Sequence, residues 1–162
     1  MTDTTLDHPE TIVFPPLIPL ATLVIACALQ WMTPLGWIAS LEPQVRMGVG
    51  LLVIFAGLAM TAAGQRALMK NGTNVSPSQP TTRLVTDGVF ARTRNPLYVG
   101  GSLALCGVAV IFALDWMLLL MIPSCIVLHF AVVRREELYL EQKFGEAYRC
   151  YRTNVPRYFG RN

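Results

Sequence analysis

Two constellations in this 162-residue sequence combine residue types suited to chemistry. The first is Arg92-Thr93-Arg94-Asn95-Pro96. Pro96 suits the first turn of a helix, where its missing N–H costs nothing, and Asn95 is a good N-cap. A helix N-terminus carries free N–H groups and partial positive charge, so with Arg94 beside it this corner is suited to an anion. The plainer reading is topological: arginines collect at the cytoplasmic end of a membrane helix. The second constellation is Arg134-Arg135-Glu136-Glu137. Adjacent carboxylates at a membrane face are costly unless paired or hydrated. Either the neighbouring arginines pair with them, or a carboxylate is aimed inward to hold a cationic or hydroxyl-bearing ligand. Downstream, Leu140, Phe144, Tyr148 and Tyr151 recur at helical spacing and predict an apolar, aromatic face, with Gly145 breaking the helix in two. Val155-Pro156-Arg157-Tyr158-Phe159 then forms a basic, aromatic stretch suited to a membrane interface.

Metal chemistry has no comparable signal. His8 and His129 are far apart, and the cysteines form no CxxC pair. Cys27, Cys106 and Cys125 fall mid-span and read as small apolar residues, and Cys150 faces a reducing cytoplasm. The G-x-G at Gly48-Val49-Gly50 opens an apolar helix and reads as packing rather than a nucleotide loop.

The elements that must position these groups follow from composition. Hydrophobic residues make up 53% of the chain and charged residues only 14%, too few to cover a globular surface in water. Disordered, collagen-like and coiled-coil chains need other compositions, and a formal net charge of +3 does not indicate a nucleic-acid binder. The reading is an all-α integral membrane bundle in one domain. Charge-free stretches place spans near residues 13–34, 46–67, 97–114 and 116–134. Pro15, Pro16 and Pro19 lie at the start of the first, and Asp115 with Trp116 marks the turn of a hairpin between the last two. Short cytoplasmic helices cover 135–153. Gly57, Thr61 and Gly64 can share a stripe on the second span, and Gly100, Ala104 and Gly107 one on the third, spacing that lets helices approach closely.

Twelve of the thirteen Lys and Arg fall between spans two and three or after span four; Arg46 alone lies elsewhere. The positive-inside rule therefore predicts a cytoplasmic C-terminus and, with an even number of spans, a cytoplasmic N-terminus. The acidic N-terminal tail, with Asp3, Asp7 and Glu10, lacks the basic region of a secretory signal, so the first span is expected to be retained. Residues 71–82, rich in Gly, Ser and Pro and including Pro77, form a loop.

The ordered series Leu84-Val85-Thr86 and Gly88, Arg94-Asn95-Pro96 with Tyr98 and Gly100, Glu136-Glu137, Phe144-Gly145 with Tyr148 and Tyr151, and Val155-Pro156 resembles the isoprenylcysteine carboxyl methyltransferase family. That family belongs with the phospholipid methyltransferases in one superfamily of membrane methyltransferases. The likeness covers residues 72–159 and leaves the first two spans without a signature. It implies S-adenosylmethionine (SAM) as cofactor, without a metal, bound at the cytoplasmic side. The family's cofactor contacts fall on Thr82, Arg83, Leu84, Val85, Phe90, Asn95, Pro96, Leu97, Tyr98, Glu136 and Glu137. The resemblance implies that 71–96 is the cofactor-binding loop, and Arg94, Tyr98 and Glu136 are the expected catalytic set. Asn95 stands where the protein methyltransferases carry a histidine, and Val132 where they carry a substrate-contacting arginine, for which Arg134 or Arg135 can substitute.

The expected reaction is methyl transfer to a hydrophobic or lipid-like acceptor bearing a carboxylate, thiol or amine. The expected partners are that acceptor and membrane lipid, with no nucleic acid. Two alternatives carry different predictions: a sterol-type membrane reductase would bind NADPH, and a non-enzymatic scaffold would bind neither cofactor.

Overall fold

Long runs of Leu, Ile, Val and Ala without charge are stable as helices, which satisfy every backbone group within the segment. The computed structural model describes residues 11–76 and 79–160, and within them every regular element is helical. Asp3, Asp7, His8, Glu10, Pro77 and Arg161 lie outside the described residues. Helix α1 spans Leu17–Met32 and α2 spans Pro43–Lys70, with Pro43 at its first turn. Helix α3 spans Pro96–Ile111, and α4 spans Asp115–Leu128. Helices α5, Arg134–Phe144, and α6, Glu146–Asn154, follow. A single turn of 3-10 helix, Gly88–Ala91, precedes α3.

Among the described residues two helices are long and apolar enough to cross a membrane, Pro43–Lys70 and the continuous Asp115–Phe144; Leu17–Met32 and Pro96–Ile111 are apolar but shorter. The second long helix differs from expectation. It does not stop near residue 134, because a π-helical segment, His129–Val133, carries α4 straight into α5. The arginines at 134 and 135 mark a change of polarity, but nothing in the backbone ends the helix before Gly145, where φ reaches +53°.

The α2–α3 interface is built from the absence of side chains. Gly50, Gly57 and Gly64 recur every seven residues on α2 and are all buried. A Cβ on Gly57 would sit 2.5 Å from the Gly100 carbonyl, and one on Gly107 would sit 2.7 Å from the Gly50 carbonyl. The small-residue stripes are thus used within the chain, helix against helix. Helix α1 lies against α4, where the hydroxyls of Thr22 and Ser124 meet at 2.9 Å.

Asp115 does more than mark a turn. Almost fully buried, its carboxylate accepts the backbone N–H groups of Gly36 at 3.0 Å and Ile38 at 2.8 Å. Beside it the Trp116 indole donates to the Thr33 carbonyl at 2.7 Å. The α1–α2 connection is thereby fastened to the α3–α4 hairpin at the end opposite Glu136.

Candidate functional site

The site begins at the first turn of α3. Pro96 occupies the expected N-terminal position, and the Asn95 carbonyl accepts the Val99 N–H at 3.1 Å. The Asn95 side chain does not cap the helix, contrary to the expectation from its residue type. Its amide donates instead to the Arg157 carbonyl at 3.1 Å. The Thr93 hydroxyl donates to the same carbonyl at 3.0 Å, and the Arg94 N–H to that of Pro156 at 3.0 Å. The chain after α6 therefore straps the Thr93–Asn95 corner in place. The Tyr151 hydroxyl adds a bond to the Phe90 carbonyl at 2.7 Å.

Under the strap lies a buried ion cluster. Glu137 Oε1 accepts from Arg94 Nη1 at 3.0 Å and from Arg157 Nε at 2.9 Å, and Arg157 Nη2 reaches Oε2 at 2.7 Å. Of the two readings open to these carboxylates, pairing with the neighbouring Arg134 and Arg135 is not what the structure shows. Successive helical residues point about 100° apart and do not face each other. Arg134 and Arg135 are exposed, with Arg134 lying 5.7 Å over the Phe130 ring. Two arginines around one carboxylate leave a surplus positive charge. Arg94 Nε is buried without a hydrogen-bond partner among the described residues. Hydrogen bonding to Glu137 raises the pKa of Arg157. Tyr148, 3.4 Å from Arg94 Nη1, is pushed up to about 12, first by burial and then by the negative charge of Glu137.

Glu136 is placed differently. It is half-buried, and its Oε1 accepts the Tyr98 hydroxyl at 2.5 Å. Among the described residues no cation pairs with it, and burial raises its pKa to about 7, so a cation entering the cleft would draw it into its charged form. The two neighbouring glutamates have thus divided their work: Glu137 fastens three segments together, and Glu136 faces a cleft.

That cleft encloses about 280 Å³ between α3, α5, α6 and the loop after α2. Of the sequence-predicted positions, Arg83, Leu84 and Val85 line it from the loop, and Phe90 and Arg94 from the approach to α3. Asn95, Pro96, Leu97 and Tyr98 line it from the helix start, and Glu136 and Glu137 from α5. Thr82 does not line it; that residue is exposed, its hydroxyl donating to the Gly72 carbonyl at 2.8 Å and its N–H to Thr73 Oγ1 at 3.0 Å. Arg134 and Arg135 also lie outside the cleft.

Sequence reasoning missed several walls. Pro15 and Pro16 reach the cleft from before α1, and Tyr139 from α5. Arg157 was read only as part of an interfacial stretch. No local signal distinguishes it, because its partner is twenty residues away.

A second hollow adjoins the first. It runs between α3 and α4, encloses about 520 Å³, and is almost wholly apolar. Ser102 and Cys106 line it from α3, Met121 and Cys125 from α4, and Tyr158 and Phe159 from the C-terminal strap. Tyr98 belongs to both hollows. A charged cleft and an apolar groove thus meet at one phenol.

The family model described as phospholipid methyltransferase matches residues 45–147, well over half of the chain. No match was found among curated proteins or among solved structures.

Proposed function

The chain belongs to the phospholipid methyltransferase family, and from that premise we propose that it transfers a methyl group from SAM to a hydrophobic acceptor at the cytoplasmic face of a membrane. In this reading α1 to α4 all span the bilayer, α1 and α3 as its shorter members, with both termini cytoplasmic. The concentration of Lys and Arg in the α2–α3 connection and after α4 supports that orientation.

The observation that carries the proposal is the shared wall at Tyr98. SAM supplies an electrophilic methyl group on a sulfonium, together with an ammonium and a carboxylate. Glu136, without a cationic partner, suits the ammonium. The surplus positive charge of the Arg94–Glu137–Arg157 cluster suits the carboxylate, with Arg94 the member that lines the cleft. Phe90 and Tyr98 wall the space between donor and acceptor, and the groove beyond Tyr98 takes the acceptor's apolar part. Direct displacement needs the two reacting atoms held in line. Such orientation supplies about 7–11 kcal/mol when fully achieved, and a corner strapped from three directions is a physical means to it.

Purified protein in detergent should bind SAM and S-adenosylhomocysteine by calorimetry and show no heat with NADPH. Binding of NADPH instead identifies a reductase, and binding of neither identifies a scaffold.

A further inference from the structure

The groove between α3 and α4 narrows the acceptor's chemistry, an inference that rests on the methyl-transfer reading. Among the described residues no charged side chain lines it. An ion lying along it would lose its hydration without a counter-charge, at a cost of several kcal/mol. The nearby cations do not change this. Arg94 and Arg157 are both committed to Glu137, and Arg134 and Arg135 are exposed beyond the groove. The nearest charge to its Tyr98 end is the carboxylate of Glu136.

Hydrogen-bond accounting at Tyr98 is more selective. A phenol has one proton to donate and lone pairs to accept with. The Tyr98 proton is donated to Glu136 at 2.5 Å, so Tyr98 can offer a ligand only an acceptor. A carboxylate acceptor has no proton to place there and would face the negative charge of Glu136. A thiol, amine or hydroxyl has the proton.

A second phenol lies on the same groove: Tyr158, from the C-terminal strap, with its hydroxyl 3.0 Å from Nδ1 of His129 in the π-helical segment. The polar handles of an otherwise apolar groove are thus carried by the strap and the start of α3, with the Ser102 hydroxyl one turn further along α3.

We propose that this groove binds an acceptor whose apolar body ends in an uncharged X–H group, and that Tyr158 helps Tyr98 to grip that end. In the reaction the lone pair of X attacks the methyl carbon, a C–X bond forms, and the C–S bond breaks with its electrons left on sulfur. The proton leaves X for Tyr98 as the Tyr98 proton passes to Glu136, which later releases it to water.

Photo-cross-linking in lipid nanodiscs tests this with two probes, dodecanol and dodecanoate, each bearing a diazirine on the chain. Dodecanol should give adducts concentrated on Ser102, Cys106, Met121 and Cys125, and dodecanoate should label the exposed apolar faces of α1 and α2 without that concentration. Tyr158→Phe should weaken dodecanol labelling of the groove about fivefold, the worth of one neutral hydrogen bond, and leave SAM affinity unchanged. Equal groove labelling by the two probes, or even labelling of all apolar faces by both, overturns the proposal. Loss of SAM binding in the wild-type protein overturns the methyl-transfer reading whatever the labelling; retained SAM binding without groove selectivity overturns this inference alone.

Discussion

Helix α3 has two sides with opposite designs. Toward α2 it is closed: Gly100 and Gly107 meet Gly57 and Gly50 so nearly that no Cβ fits between backbones. Toward α4 it is open, and Tyr98, Ser102 and Cys106 border a groove of about 520 Å³. The difference shows how a small bundle reconciles rigidity with access. Close packing on one side fixes the helix without using the other. The groove can then stay empty of protein side chains over part of its length, because α3 is held chiefly against α2, with Ala109 packing on Met117 and Met121 of α4 beyond it.

The first turn of α3, common to both sides, is where the comparison breaks most easily. Glu137→Ala leaves the buried Arg94 and the partly exposed Arg157 without their carboxylate, and removing one partner of a buried pair costs about 3–5 kcal/mol. Thermal unfolding in detergent should show that loss as a large fall in Tm, with both sides of α3 released together. A Tm near that of the wild type would mean that the ion cluster is not what anchors the helix.

Two adjacent glycines sharpen the contrast. A Cβ on Gly100 collides with the Thr61 hydroxyl and lies 2.6 Å from the Gly57 carbonyl, whereas a Cβ on Gly101 meets nothing within 4 Å. Gly100→Ala should therefore destabilise by about 1–3 kcal/mol through overpacking. Gly101→Ala should stabilise by up to about 1 kcal/mol, because alanine is the better helix former. Melting of the two variants side by side gives opposite signs if the closed side lies where it is described, and the same sign if it does not.

Much of this was legible in the chain. Charge-free runs located the four apolar helices, and small residues at helical spacing marked the closed side of α3. The helix start at Pro96 was readable from proline chemistry alone. The continuation of α4 into α5 was not, because hydropathy reports where apolar character ends and not where the helix ends. Nothing between Leu128 and Phe144 forbids a helical backbone, and the π-helical segment has no signature in residue type. For the site, the family likeness brought together the loop, the α3 start and the glutamates, all of which face one cleft except Thr82. It could not separate Glu136 from Glu137. That distinction depends on Arg157, whose approach is a tertiary event with no local cause. The groove was invisible for a related reason: a hollow between two apolar helices reads in sequence like any other lipid-facing surface.

The central claim is that Glu136, and not its neighbour, holds the charged end of the donor. Calorimetric titration of SAM into Glu136→Gln protein tests it directly, because glutamine keeps the shape and removes the charge. Affinity should fall at least tenfold, about 1.4 kcal/mol, with the fold intact by thermal unfolding. Unchanged affinity in a folded Glu136→Gln protein would contradict the account.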